Sequence, residues 1–341
     1  MILPEPTAVP LRGGPTLRWG VLAPGGIATD WVATLHANTD QRVVAVASRS
    51  AERAAEFANK NGIERSYGSY EQLVADPEVD IVYVAAPNVF HRLLALLAIA
   101  AGKHVLIEKP LGVDAADARV IVESARAANV FALEAMWSRF LPQTTVVSQL
   151  LAEGELGDVK VVTADFGADF GDRRGQPVFD PAMGGGALRD IGIYPVWFSR
   201  FALGELTSAV ASGRMLDSGV DGQAAMILGH AGGAQSVLHT TMLADTPTEA
   251  RISGTRGRVE VRTPFYAPNG FAFVRGEERT EFTDGTGLRG REGLAFQATA
   301  IAQHISDGRT EAPEHPLELS VAILGTLDTL RAQVEAGEQA G

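Results

Sequence analysis

The sequence predicts an α/β domain on a doubly wound parallel sheet, followed by an α+β domain on an open, mostly antiparallel sheet. Two observations carry this. Up to about residue 137, short apolar runs of buried-strand type alternate with helical patterns; from Val159 onward, alternating strands follow one another with one or two helices among them. At 341 residues the chain is also long for a single core. The expected division is a flexible leader at 1–16, a first domain at 17–137 and a second at 138–341, closed by a C-terminal helix.

The leader holds Pro4, Pro6, Pro10 and Pro15 and no apolar run long enough for a signal peptide, so a cytoplasmic location follows by default. Arg18–Leu22 reads as a buried strand and Ala23–Gly26 as a tight turn. Ile27, Trp31 and Leu35 then recur at i, i+4 and i+8 as the inner stripe of a helix. The turn Ala23-Pro24-Gly25-Gly26-Ile27-Ala28 matches the dinucleotide fingerprint G-x-G-x-x-G/A with its first glycine replaced. Glycines let amides approach a ligand, and the first turn of a helix offers unpaired N–H donors and positive dipole to a phosphate. Pyrophosphate contacts are expected mainly from the backbone of Gly25, Gly26 and Ile27, between Pro24 and Ala28. By itself the motif is weak, since short glycine-rich turns are common where nothing binds.

The next strand, Gln41–Ala47, ends in Ser48-Arg49, with a helix from Ala51. Dinucleotide folds carry an acid here for the ribose hydroxyls, or an Arg for a 2′-phosphate. No acid precedes Glu52, whereas Arg49 and Arg53 stand four apart, a spacing that lets both grip a phosphate; the alternative is two solvated arginines. Asp80–Ala86 forms the next strand, stopped by Pro87-Asn88, and His91 opens a helix. His104–Ile107 ends in Glu108-Lys109-Pro110, and a helix over 114–129 leads to Val130–Leu133 and Glu134. Ligands sit at the carboxyl ends of such strands. The polar residues collected there, Ser48, Arg49, Asn88, His91, Glu108, Lys109 and Glu134, are expected to line one crevice beside Ala86 and Pro87.

Around Met136 the pattern changes. A linking helix is expected over 139–151, then strands at 159–166, 206–214, 223–228, 235–242 and 250–261, the last broken by a turn at Gly254–Gly257. A glycine-marked helix, Gly184-Gly-Gly-Ala-Leu-Arg-Asp190-Ile-Gly-Ile-Tyr194, lies between the first two. Leu319, Ile323, Leu327 and Leu330 stripe a final helix.

Hydrophobic residues make up 46% and charged residues 21%, which suits a globular protein with a large core. The net charge of −12 argues against nucleic acid and anionic membrane as partners. No uncharged apolar run reaches spanning length. Cysteine is absent, which removes disulfides and thiol chemistry, and the seven histidines show no close metal-site spacing, so no metal is expected.

Taken together, the glycine-rich turn, Ala-Ala-Pro87-Asn-x-x-His91, Gly-Lys-His-Val-Leu-Ile-Glu108-Lys109-Pro110 and Gly-Gly-Gly-Ala-Leu-x-Asp190-Ile-Gly-Ile-Tyr194 resemble the glucose–fructose oxidoreductase, inositol dehydrogenase and rhizopine catabolism (Gfo/Idh/MocA) family. The likeness covers nearly everything after the leader. Glu134-Ala-Met-Trp-Ser-Arg-Phe-Leu-Pro142 and Tyr194 most resemble the dimeric dihydrodiol dehydrogenase and NADP-dependent D-xylose dehydrogenase branch; most other branches carry His at the tyrosine. The resemblance implies a Rossmann domain, a sheet domain whose open face often dimerises, a cis-Pro110, and hydride transfer between NADP(H) and the carbinol carbon of a sugar or diol. The expected assembly is a homodimer or a dimer of dimers through that sheet.

Oxidising an alcohol requires a base for its proton and a hydride acceptor held against the carbon. Tyr194 serves as the base only if its pKa falls well below the ordinary phenol value, and a Lys109 ammonium close by is a sufficient cause. Asp190, four residues before Tyr194, shares its helix face and would orient Lys109 or the substrate. Outside this setting, Tyr194 reads as a half-buried tyrosine with a hydrogen-bonded tip. His91 reads either as part of the cofactor pocket or as a structural helix histidine. Trp137, Phe140 and Phe166 read as core; by resemblance Trp137 moves to the substrate pocket. Phe166 and Arg139 stand as further substrate candidates, with an interdomain or interface place open for Arg139. Two other readings compete: a non-catalytic NADP-binding redox or metabolite sensor, and an NAD-linked inositol-type dehydrogenase.

Overall fold

The computed structural model describes residues 2–171 and 175–339. In the N-terminal half, β1 (Arg18–Leu22), α1 (Gly26–Asn38), β2 (Arg42–Ala47), α2 (Ala51–Asn61), β3 (Arg65–Tyr67), α3 (Tyr70–Val74), β4 (Ile81–Val84), α4 (His91–Ala100), β5 (His104–Ile107), α5 (Ala115–Ala128) and β6 (Ala132–Glu134) alternate as expected. Their strands form one parallel sheet in the order β3-β2-β1-β4-β5-β6. The order reverses between β1 and β4, and the carboxyl ends there are where doubly wound sheets take ligands. β3 and α3, too short for a periodic signal, were not foreseen.

Local chemistry sets the helix ends. Ser50, Ser69 and Asp114 accept the backbone N–H groups of Arg53, Gln72 and Asp117 as N-caps, and Asn129 closes α5 in the left-handed conformation. One face of the sheet packs Val82, Val84, Val105 and Ile107 against Leu94, Ala98, Ile121 and Val122 of α4 and α5. Near the other face, Trp31 of α1 meets Trp19 edge-on at 4.9 Å and Tyr83 at 4.4 Å. Such aromatic pairs contribute about 0.5–1.5 kcal/mol each beyond their buried area.

The C-terminal half begins with α6 (Pro142–Ala152), preceded by a 3-10 turn at Trp137–Phe140 where a single helix was expected. Then come β7 (Val159–Gly167), α7 (Ile193–Leu203), β8 (Leu206–Met215), β9 (Asp221–His230), β10 (Gln235–Thr241), β11 (Ala250–Gly254), β12 (Arg258–Val261), β13 (Gly270–Arg275) and β14 (Glu278–Thr283). They build one sheet in the order β14-β13-β12-β11-β7-β10-β9-β8, antiparallel except where β10 runs parallel to β7. α7 packs on β7 and β10. Val161, Val210, Ile227 and Val237 are exposed, and Ile227 pairs in register with both Val237 and Val210. Near the β14 edge, Glu260 bridges Arg258 and Arg279, and Glu281 bridges Arg279 and Arg262, which blunts the edge with charge.

α8 (Leu294–Ser306) and α9 (Leu317–Gln339) complete the chain. The compact units do not follow a single cut after residue 137. One comprises Ala8–Phe140 with Gly290–Leu324; the other comprises Leu141–Arg289 with the residues up to Thr7 and from Gly325. The physical reason lies partly in the core, because Leu317 and Leu324 of α9 join the cluster of α4 and α5. Nor does the leader hang free: Thr7 N–H donates to Thr145 Oγ1 at 3.0 Å in one unit, and Arg12 and Gly13 bind the Asp40 carboxylate in the other. No helix among the described residues is long and apolar enough to cross a membrane.

Candidate active site

In the unit that carries the parallel sheet, β1 runs into the glycine turn, and Ala23 takes the left-handed backbone (φ 59°) that the fingerprint's missing first glycine would supply freely. The Ala23 N–H to Ala47 carbonyl bond, 3.0 Å, holds it there. The replacement therefore costs strain and does not abolish the turn. Gly25 and Gly26 are exposed, with open space where a Cβ would stand; Pro24 and Ile27 are partly exposed and Ala28 is buried. Gly25 caps α1 without a side-chain bond, so the α1 N-terminus presents backbone donors and positive dipole, which fits a dinucleotide pyrophosphate.

At the end of β2, Ser48 is buried and Arg49 exposed, its guanidinium lying 5.6 Å from the Phe90 ring centroid. Arg53 is exposed in the first turn of α2. At the end of β4, Ala86 is buried while Pro87 and Asn88 are partly exposed.

Three residues expected to line the crevice turn inward instead. His91 has no solvent exposure; its Nδ1 lies 2.8 Å from the Pro110 carbonyl and its Nε2 2.8 Å from the Ala86 carbonyl. The ring ties the β4 loop to the β5 loop, and burial pushes its pKa down. Glu108 points back into the domain, where Tyr83 donates to its carboxylate and Lys109 N–H reaches it at 3.2 Å. Burial pushes its carboxyl pKa up, against the Tyr83 bond and the Lys109 charge. Glu134 is fully buried. Its Oε1 accepts Leu111 N–H at 2.8 Å and its Oε2 lies 3.1 Å from His315 Nε2, which also meets Ser320 Oγ at 3.0 Å. These groups point inward because each meets a backbone or side-chain partner inside that a crevice wall would deny it. Between them the turn Lys109-Pro110-Leu111, cis at Pro110, is gripped on both sides. The same unit holds Trp137, 4% exposed, and Arg139, whose Nε donates to the Glu314 carbonyl at 2.9 Å.

The other unit carries Asp190 and Tyr194. The helix enters through a π-turn at Leu188–Gly192, a feature frequent at functional sites, and continues as α7. Asp190 is partly exposed and Tyr194 is 6% exposed. Tyr194 stands 5.7 Å from Phe166 and 5.1 Å from Tyr266, which stacks on Phe166 at 4.5 Å and 9°. Phe166 is thus packed against Tyr194. Tyr266 opens the segment Tyr266–Gly270 that the sequence offers as a pocket wall, whereas His315 and Tyr83 carry no local signal, since each lies far along the chain from its partner. Among the described residues no group of His, Asp and Glu is arranged to hold a metal ion.

Residues 17–135 match the model of an oxidoreductase family with an NAD-binding Rossmann fold, and residues 144–260 match the C-terminal domain of the same family. The chain is 34% identical over 331 residues to a trans-1,2-dihydrobenzene-1,2-diol dehydrogenase of Xenopus tropicalis, covering 93% of this chain and 98% of that protein. It is 35% identical over 334 residues to the human enzyme of that name, with 93% and 97% covered. Among solved structures, an aldose-aldose oxidoreductase from Caulobacter crescentus in complex with glycerol superposes with a TM-score of 0.84 at 25% identity over 94% of this chain and 98% of that one. A 3-ketoreductase from Actinomadura kijaniata in complex with NADP superposes at 0.79 and 28% identity over 93% and 98%. A two-part match along the chain, with whole-length relatives and the same two sheets, leads to one conclusion: this protein belongs to the Gfo/Idh/MocA family of oxidoreductases.

Proposed function

We propose that this protein is an NADP-dependent dehydrogenase that transfers a hydride between the nicotinamide and a carbinol carbon of a sugar or vicinal diol. The observation that carries the reading is the Lys109 turn, clamped from inside by His91, Glu108 and Glu134 in the unit that bears the glycine turn. Buried polar groups are costly unless they hold something in place, and here they converge on a turn that is itself buried except at the partly exposed Lys109. The whole-length likeness to diol dehydrogenases supports the substrate class.

Gly25, Gly26 and Ile27 would hold the pyrophosphate, with Pro24, Ala28, Ala86, Pro87 and Asn88 beside the dinucleotide. Arg49, Arg53 and Ser48 would hold the 2′-phosphate. The absence of an acid at the end of β2 supports NADP over NAD. The bound nicotinamide supplies the hydride acceptor. Tyr194 takes the proton of the carbinol hydroxyl, the Lys109 ammonium favours the tyrosinate and donates to the substrate oxygen, and Asp190 orients them. Trp137, Phe166 and Arg139 bound the substrate. The exposed stripe Val210, Ile227 and Val237 on the C-terminal sheet supports a homodimer through that face.

Tyr194→Phe tests the assignment. NADP affinity, read by fluorescence, should stay, and reduction of NADP with a panel of pentoses, hexoses and diols should vanish. Turnover surviving in the variant would overturn Tyr194 as the base, and wild-type protein that binds NADP and reduces it with none of them would favour a sensor.

A further inference from the structure

We infer that Asp221 is a positioning residue, a carboxylate on the sheet that anchors the start of the helix bearing Asp190 and Tyr194. The inference rests on the role proposed for Tyr194. The segment Gly184-Gly185-Gly186-Ala187 carries no side chain able to cap the helix it opens. The cap comes instead from 33 residues away: Asp221 Oδ2 accepts the Leu188 N–H at 2.6 Å. The glycines are shaped to reach it. Gly186 N–H donates to the Val178 carbonyl at 3.0 Å, and a Cβ on Gly185 would collide with that carbonyl. Gly186 adopts φ +125°, and a Cβ there would collide with Asp221 Oδ1. The triglycine therefore brings the helix start onto the carboxylate.

Asp221 is itself fixed. It begins β9, pairs with Met215 of β8, and follows a turn closed by the Leu216 N–H to Val220 carbonyl bond of 2.8 Å. It is fully buried, and its Oδ1 has no hydrogen-bond partner among the described residues. The charges that act on it are Arg331 of α9 and Arg189 of the helix start, which are themselves paired with Glu335 and Asp328. Burial pushes its pKa up to about 6, against the Leu188 bond and the two arginines. The carboxyl ionises at about pH 4 in the unfolded chain and at about 6 here, so stability is lost progressively as pH rises from about 4 through about 6, and the loss is complete above. An amide of the same shape would cap the helix more cheaply at neutral pH. Asp190 lies two residues past the anchored amide and Tyr194 six, so a loosened helix start displaces both. A misplacement of about 1 Å in a reacting group costs on the order of a hundredfold in rate.

The test compares Asp221→Ala with Asp221→Asn by turnover, NADP affinity and amide hydrogen exchange over residues 186–194. In Asp221→Ala, kcat should fall about tenfold or more, NADP affinity should hold within about twofold, and the amides of 188–194 should exchange faster. Asp221→Asn, which keeps the acceptor, should restore slow exchange and most of kcat. It should melt higher than wild type at pH 8, with the gap shrinking as pH falls through about 6 and closing at about pH 4. Unchanged exchange in Asp221→Ala overturns the anchor whatever turnover does; faster exchange with undiminished kcat overturns the positioning role. Turnover persisting in Tyr194→Phe would sink the proposed base alone, leaving exchange to decide the anchor. Should Asp221→Ala not fold, Asp221→Ser, too short to reach Leu188, takes its place with the same readouts.

Discussion

Removing the Glu134 carboxylate isolates what the buried scaffold contributes to the Lys109 turn. Glu134→Ala strips the acceptor from Leu111 N–H, a bond of 2.8 Å, and the partner from His315, itself without solvent exposure. A buried donor left unsatisfied costs about 1–3 kcal/mol, and here both the Leu111 N–H and the His315 ring lose their acceptor, together costing about 3–5 kcal/mol. For a unit of this size each kcal/mol moves the melting midpoint by about 2–4 °C, so a fall of about 6–20 °C is expected by calorimetry. Glu134→Gln keeps an acceptor for Leu111 and should lose less.

The pH dependence carries a sign. Burial opposes ionisation of Glu134, but the His315 bond and charge, with Ser320 and Leu111, hold its carboxyl below the usual range. A depressed carboxyl stabilises the fold above its unfolded value and loses that contribution as pH falls through the folded value. The gap between wild type and Glu134→Gln should thus be full at neutral pH and narrow below about pH 4.5. A melting point within about 2 °C of wild type for Glu134→Ala, or a gap indifferent to acid, would refute the scaffold as a source of stability.

Two further substitutions separate the remaining readings. Arg49→Glu removes a charge-assisted contact worth about 1.5–3 kcal/mol and adds repulsion, so KM for NADP should rise at least about tenfold while KM for NAD stays; a wild-type preference for NAD would refute the reading of the β2 end. Ile227→Asp places a charge in the middle of the exposed stripe. If the proposed dimer forms through that face, wild type should sediment as a dimer and the variant as a monomer of unlowered melting point, and a variant that stays dimeric would move the interface elsewhere.

The alternation of strands and helices was legible because parallel strands buried on both faces leave continuous apolar runs such as Ile81–Val84 and Val105–Ile107, and each helix carries its own stripe. The two-sheet architecture and the family followed from local motifs that survive reading one residue at a time. The membership of residues 290–324 in the first unit was not legible, since it depends on contacts made long after the chain has left that sheet. Neither were β13 and β14, where the edge strand Glu278–Thr283 is mostly charged and polar and offers no apolar alternation.

At the site, the sequence by itself determined which chemistry is available: a glycine turn, a lysine after a strand, a tyrosine on a glycine-opened helix, arginines where an acid would exclude a 2′-phosphate. Only the tertiary structure decided which polar residues face outward. His91, Glu108 and Glu134 sit at strand ends as ligand-binding residues do, yet each finds its partners inside, at Pro110, Tyr83 and His315. Asp221, silent in the sequence, caps a helix 33 residues away. Polarity and position along a strand are local properties, whereas the partner that satisfies a buried donor or acceptor is brought by another segment, and a chain read in order carries no record of that meeting.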